Sequence, residues 1–400
     1  MKQTGAVIEF GTSKITALFG DVASGDRLDI LGYGMVPYAG FRRGQWQEPD
    51  KLGDSLRQAV EAAEAAAHRK MRDVCVALPD ELTHFDVINA SVTVATRNRQ
   101  VDERTIENLI RQAEEDFPYE DHRILHSSVC YFVLDNGQRV SDPVGMASQM
   151  LSAAVSFVSV KEEVIAFIEP IIRDCGLSPT GYASPAYGEM MYLFSPEERD
   201  STVILVDAGY YSTTVSVITG DGIQRQQVIP LGGCQIAGDL AYCFDLPEEQ
   251  AELLKRRYVF GLDIDSLDED SGVDISVDGR NVRIADRYIQ DVIEARTGEI
   301  ANHIKHAAFN FGELVTPNTP IALTGGGMAL MRGVRDFLAV NTNRPVRIVV
   351  PESTHMNNPM FSAALGVLDV AMEEGEPTAV QQTGGALKKL LDKITGFFYE

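Results

Sequence analysis

The chain has 400 residues, 44% of them hydrophobic, which is more than one compact core accommodates and enough to fill at least two domains. A formal net charge of −23 excludes the clustered Lys and Arg that nucleic-acid backbones require, and points instead to a protein partner or a small ligand. The five cysteines (Cys75, Cys130, Cys175, Cys234 and Cys243) are scattered and never form a CxxC pair, so a disulfide framework and a zinc site are set aside; they read as small buried hydrophobes in a reducing compartment. No apolar run approaches the roughly 20 residues of a membrane-spanning helix, and no charged-then-apolar leader precedes Ala6.

In chain order, Ala6 to Gly20 carries β-branched and aromatic residues around Glu9, Gly11, Thr12 and Ser13, the pattern of two strands joined by a tight turn. Leu52, Leu56, Ala59, Val60 and Ala63 lie on one face of a helix, and Ile106, Leu109, Ile110, Ala113 and Phe117 on one face of another that Asp102 would cap. At Val203 to Ile218 the opening pattern returns: a strand runs into Asp207, then Gly209, hydroxyl-bearing residues and a second strand. An acidic residue, a spacer and a glycine, repeated within one chain, predict a duplicated phosphate-gripping hairpin and two facing α/β lobes. Asp245 with Pro247 opens a helix bearing Glu252, Lys255 and Arg256, and Asp286 opens a long one ending near Gly312. Ile321 starts a buried strand that ends in Thr324-Gly325-Gly326-Gly327, where a flat ring or a phosphate can lie against bare backbone, with a helix N-terminus expected just beyond.

Glu9-Phe-Gly-Thr-Ser-Lys14, Asp207-Ala-Gly209 and Thr324-Gly-Gly-Gly327 together resemble the actin, sugar-kinase and heat-shock-chaperone superfamily, in which ATP sits between two lobes. Ile124-Leu-His126, Asp142-Pro-Val-Gly-Met146, Ile229-Pro-Leu-Gly-Gly233 with Asp239, and Ile293-Glu-Ala-Arg296 narrow the resemblance to the FtsA family of bacterial cell-division proteins, from Ala6 to about Ala371. That resemblance implies a two-lobed, ribonuclease-H-like duplicated α/β fold with an inserted 1C subdomain. Its boundaries place 1A at 1–81 and 163–200, 1C at 82–162, 2A at 201–239 and 311–371, and 2B at 240–310. It also implies a polymer whose 1C subdomain contacts the next protomer, other division proteins as partners, and a 2B subdomain that receives the C-terminal tail peptide of the tubulin homologue FtsZ.

The resemblance implies ATP with magnesium as cofactor. Gly11, Thr12, Ser13 and Lys14 would grip the phosphates from one lobe, and Gly209 to Ser212 from the other. Asp207 would hold magnesium through water, Glu252, Lys255 and Arg256 would stand along one helical face beside ribose and adenine, and Gly325, Gly326, Gly327 and Met328 would cover the nucleoside. Two departures bear on this. Glu9 stands where the family usually has Asp, and Asp207-Ala-Gly-Tyr-Tyr-Ser-Thr-Thr214 puts Tyr210 and Tyr211 where backbone would approach phosphate and Thr214 in place of the last Asp. Either the loop is rebuilt around another pose, or phosphate binding is weak and hydrolysis is lost. No residue is assigned as catalytic beyond Asp207, and turnover is expected to be weak or absent.

Residues 372–385 have linker composition. Beyond them Leu387, Leu390, Leu391, Ile394, Phe397 and Phe398 fall at spacings of three and four, with Lys388, Lys389 and Lys393 elsewhere, which predicts an amphipathic helix over 386–400. In the FtsA family this is the membrane-targeting helix, so the resemblance implies a peripheral protein on the inner leaflet of the cytoplasmic membrane at midcell. His126 reads as structural rather than as a base, and the acidic run Asp263 to Asp270 as a solvated loop. Three alternatives stay open: a divergent FtsA paralogue with another partner, an actin-fold adaptor of the PilM kind, and a sugar or acetate kinase, which the altered second loop disfavours.

Overall fold

A computed structural model of the chain describes residues 4–22, 28–262, 271–277, 280–353 and 356–374. The acidic run Asp263 to Asp270 and the segments 375–385 and 386–400 lie outside the described residues.

Two five-stranded sheets share one plan. In the first, β1 (Thr4–Phe10), β2 (Lys14–Val22) and β3 (Leu28–Pro37) pair antiparallel, and β6 (Asp73–Ala77) and β11 (Ser178–Ala183) extend the sheet in parallel beyond β1. In the second, β12 (Val203–Ala208), β13 (Thr213–Thr219) and β14 (Gly222–Ile229) form the antiparallel part, while β17 (Ile321–Thr324) and β18 (Val346–Ile348) extend it in parallel. The repeated order is the duplication that the two acidic hairpins predict.

Strand alternation sorts side chains to opposite faces. Ala6, Ile8, Phe10, Ile15 and Ala17 turn to one face of the first sheet, where α1 (Pro49–Ala67) and α3 (Glu162–Asp174) cover them. The face of α1 that is buried is the predicted one, Leu52, Leu56, Ala59, Val60 and Ala63. Val7 and Leu18 turn to the other face and meet α10 (Ser362–Glu374). The second sheet repeats the scheme: Ile204, Val206 and Ala208 face α6 (Gly233–Phe244), α7 (Glu248–Arg257) and α8 (Asp286–Asn310), whereas Val203 and Leu205 pack with Tyr187 and Met190 of α4 (Pro185–Leu193). Thus α4 and α10 form the layer between the sheets. They cross where Gly188 meets Gly366, and a methyl group on Gly188 would come within 2.6 Å of the Val367 amide. The boundary that assigns 311–371 to 2A therefore gives that segment a helix, α10, that packs on the first sheet.

Two insertions complete the chain. Between β6 and α3 stands a four-stranded sheet ordered β7 (Thr83–Thr93), β10 (Met150–Lys161), β8 (His122–Leu134), β9 (Arg139–Val140), covered by α2 (Glu103–Glu115) with its own core. Asp102 caps α2 by accepting from the Thr105 amide at 2.9 Å. Between β14 and β17 lie α6, α7, the hairpin β15 (Gly272–Val277) and β16 (Arg280–Ala285), and α8. Short pieces fill the gaps: the hairpin β4 (Phe41–Arg42) and β5 (Gln45–Trp46), α5 (Pro196–Asp200), which opens on a capping box from Ser195 to Glu198, and α9 (Val334–Thr342).

The structure corrects three local expectations. Asp245 does not open α7; it ends α6 in the left-handed region at φ 51°, and Pro247 takes the N-cap of α7. No helix begins directly after Gly327: residues 326–330 form turns that bury Met328 and Met331, and α9 starts only at Val334. Of the cysteines, Cys75 and Cys130 are buried, Cys175 and Cys234 are partly buried, and Cys243, in the last turn of α6, is exposed, because it lies off the helix face that Leu240 and Phe244 turn to the core.

Candidate nucleotide cleft between the lobes

The two acidic hairpins meet at the mouth of a cleft of about 290 Å³. Each turn closes in the same way: the Gly11 amide donates to the Lys14 carbonyl at 3.0 Å, and the Gly209 amide to the Ser212 carbonyl at 2.9 Å. The turns touch across the cleft, where the Tyr211 amide donates to the Thr12 hydroxyl at 3.4 Å. Behind the second turn, α6 begins under it, with the Gly233 and Cys234 amides donating to the Gly209 and Tyr210 carbonyls at 3.0 and 2.8 Å. Those α6 amides are therefore already satisfied by protein.

The glycine run is fixed by β12. Gly327 donates to the Ala208 carbonyl at 2.7 Å. Gly325 holds φ at 89°, and a β-carbon there would fall on the Asp207 carboxylate. Backbone is thereby brought against Asp207, where any side chain would separate β17 from β12.

Gly11, Thr12, Ser13, Lys14, Asp207, Gly209, Ser212, Glu252, Arg256, Gly325 and Gly326 all line the cleft, drawn from both lobes. Lys255, Gly327 and Met328 are placed behind its wall. Lys255 is 2% exposed; its ammonium donates to the Gly233 carbonyl at 3.1 Å, pairs with Glu252 at 2.8 Å and lies 5.7 Å from the Tyr210 ring centroid. Burial holds its pKa below the ordinary lysine range, with Glu252 opposing. Met328 is buried in the core of the second lobe.

Sequence reasoning missed two carboxylates that dominate the floor of the cleft. Asp80, three residues beyond β6, accepts from the Ser184 hydroxyl at 2.9 Å and the Ala186 amide at 3.3 Å, and is hydrogen-bonded by Thr214 of the opposite lobe. Glu189, mid-way along α4, is 1% exposed. Its only sequence signal is an acid set in the apolar run Met190, Met191 and Leu193. With Glu9 and Asp207 these make four carboxylates around one volume, and Glu9 Oε2 and Glu189 Oε2 have no hydrogen-bond partner among the described residues. The consequence is electrostatic. Burial first, then Asp80 and Glu9, push Asp207 up to about 7. Burial, softened by its hydrogen bonds, raises Asp80 to about 6, and burial together with the neighbouring acids lifts Glu189 well above the usual carboxylate range.

Tyr210 lines the cleft and Tyr211 reaches the other lobe. Their rings meet edge to face at 5.0 Å, and the Arg42 guanidinium lies 4.2 Å from the Tyr211 ring centroid. His126, buried, stacks on Tyr187 at 4.2 Å.

Two lobes of duplicated plan, a cleft between their hairpins and a domain inserted into the first lobe define an actin-like protein with an added module. Two family models match the chain, "Cell division protein FtsA" over residues 204–366 and "SHS2 domain inserted in FTSA" over 82–159. The chain belongs to the FtsA family of cell-division proteins. It is 28% identical to the cell division protein FtsA of Neisseria meningitidis serogroup B, over 98% of both chains. It is 25% identical to that of Escherichia coli K12, over 96% of this chain and 95% of the relative. Among solved structures, the PilM–PilN type IV pilus biogenesis complex superposes with a TM-score of 0.64 at 20% identity, covering 93% of this chain and 99% of that one. MreB 5 of Spiroplasma citri bound to AMPPNP superposes at 0.51 and 10% identity, covering 99% of each. These likenesses establish the actin-like fold.

Proposed function

We propose that the protein polymerises on the cytoplasmic face of the cell membrane and ties the FtsZ ring to it at midcell. The observation that carries this reading is the pairing of an SHS2 insertion in an actin-like frame with an amphipathic pattern at residues 386–400, set beyond a polar linker. Leu387, Leu390, Leu391, Ile394, Phe397 and Phe398 would enter the lipid, while Lys388, Lys389 and Lys393 would meet the headgroups. One such short helix binds reversibly, so durable attachment needs many copies, which a polymer supplies. No helix among the described residues is long and apolar enough to cross a membrane.

The cleft is the place for an adenine nucleotide, and MreB 5 of Spiroplasma citri, a protein of similar fold, binds AMPPNP. Asp207 would hold magnesium through water, and a cation suits the crowded carboxylates beside it, two of which keep an unpartnered buried oxygen. Bound magnesium would neutralise phosphate charge. Lys14 and Arg256 are the cationic side chains lining the cleft. Tyr210 and Tyr211 leave less bare backbone for phosphate, so hydrolysis is slow.

The test is co-sedimentation of the full chain with liposomes and fluorescent FtsZ from the same organism, with and without ATP. FtsZ should be recruited to lipid, and deletion of residues 386–400 should release the protein while leaving it folded. Lipid binding without FtsZ recruitment would instead favour a divergent paralogue with another partner, and unchanged sedimentation of the deletion would remove the anchor.

A further inference from the structure

We propose that Arg42 and Tyr211 form a latch between the lobes, closing them without help from a ligand. Arg42 stands on the β4–β5 hairpin, which the first lobe holds firmly. Phe41 is fully buried and packs on Trp46 with ring centroids 4.7 Å apart, and the Gly44 amide donates to the Glu81 carboxylate at 2.5 Å. From that base Arg42 Nη2 donates to the Tyr211 hydroxyl at 2.7 Å, and the guanidinium lies 4.2 Å from the ring centroid. Tyr211 belongs to the second lobe, and its amide donates to the Thr12 hydroxyl of the first at 3.4 Å. One residue of the second lobe is thus gripped at backbone and ring tip by two separate elements of the first. Thr214, three residues on, adds its hydrogen bond to Asp80.

The placement gives this contact leverage. It lies beside the cleft, next to Thr12 and Tyr210 that line it, so any parting of the two turns that widens the cleft has to separate Thr12 from Tyr211. An arginine over a tyrosine at an exposed site shifts an equilibrium by about two- to fivefold, which suits a restraint that thermal motion opens often. The latch therefore sets the resting balance between open and closed lobes and slows entry to the cleft. Only the entry effect rests on the cleft being a nucleotide site.

The test uses the full chain and two readouts. Without nucleotide, hydrogen exchange over Thr12–Lys14 and Gly209–Thr214 is compared among the wild type, Arg42→Ala, Tyr211→Ala, Tyr211→Phe and the Arg42→Ala/Tyr211→Ala double variant, with Arg57→Ala on the outer face of α1 as control. Arg42→Ala and Tyr211→Ala should each speed exchange about two- to fivefold, the double variant no more than either alone, and Tyr211→Phe less, because it keeps the ring under the guanidinium. Unchanged rates, or additive effects in the double variant, would overturn the latch. Stopped-flow mixing with a fluorescent ATP analogue should then show faster association with Arg42→Ala. An analogue that binds none of the variants would refute the nucleotide reading and leave the exchange result to decide the latch.

Discussion

The two cleft hairpins have the same turn and opposite surfaces. In the first, Gly11 is followed by the small hydroxyl-bearing Thr12 and Ser13, and Lys14 donates to the carbonyl of Met360, which also lines the cleft, at 2.7 Å. In the second, the turn of Gly209 to Ser212 closes with nearly the same hydrogen bond but carries two rings, one lining the cleft and one held by Arg42. Backbone duplication has been kept while the side chains have diverged. A hairpin's geometry is enforced by its sheet and by the glycine that makes the turn, whereas what its tip displays is open to change. The second lobe therefore keeps the turn of the first and uses it to hold the other lobe.

Substitutions can break this comparison at several depths. The largest effect is expected at Gly325, where the positive φ and the approach to Asp207 leave no room for a methyl group. Gly325→Ala should cost about 3 kcal/mol or more in urea denaturation, while Gly238→Ala on α6, with open space around it, should be neutral or stabilising. A neutral Gly325→Ala would mean that the glycine run is not what joins β12 to β17.

Next comes the pH dependence of the carboxylate group. Asp207 rises from 3.8 to about 7 on folding, so between those values the folded chain holds a proton that the unfolded chain has lost. The contribution of Asp207 to stability should therefore be complete below about pH 4, fall as pH climbs towards 7, and level off above. Asp207→Asn, followed by urea denaturation with EDTA present, should flatten that slope. A wild-type stability that rises over the same interval would contradict the crowding of Glu9, Asp80, Glu189 and Asp207.

Making the two turns alike is a gentler change. Replacing Tyr210 and Tyr211 with glycine should cost about 1–2 kcal/mol of stability through added backbone freedom and lost ring contacts, and should tighten binding of a fluorescent ATP analogue. Weaker binding would assign the rings to ligand contact. The smallest change, Thr12→Val, removes one long hydrogen bond, and a loss of under about 1 kcal/mol is expected by thermal denaturation.

Much of the scaffold was legible because it rests on local periodicity. The buried face of α1, the Asp102 cap, the two hairpins and the start of α8 at Asp286 follow from spacing and capping chemistry within a few residues. The boundaries that failed were those set by packing. Asp245 looks like a cap yet ends the preceding helix, and the stretch after Gly327 has helical composition but turns to bury Met328 and Met331.

The candidate site divides along the same line. Sequence alone marked the residues that line the cleft from the two hairpins and the glycine run, because each lies in a short motif whose backbone does the work. The family resemblance put Lys255 beside the ligand, and the fold turns that ammonium inward to Gly233 and Glu252. Asp80, Glu189 and Arg42 carry no motif: Asp80 and Glu189, from a turn after β6 and a helix interior, share the cleft, and Arg42, from a two-residue hairpin strand, reaches Tyr211 beside it, only once the two lobes have come together. The sequence by itself determined the duplicated strands, the acidic turns and the helix faces, since those depend on neighbours along the chain. Only the tertiary structure decided which carboxylates share a volume and which arginine reaches which tyrosine, because burial and charge interaction act through space, without regard to separation in sequence.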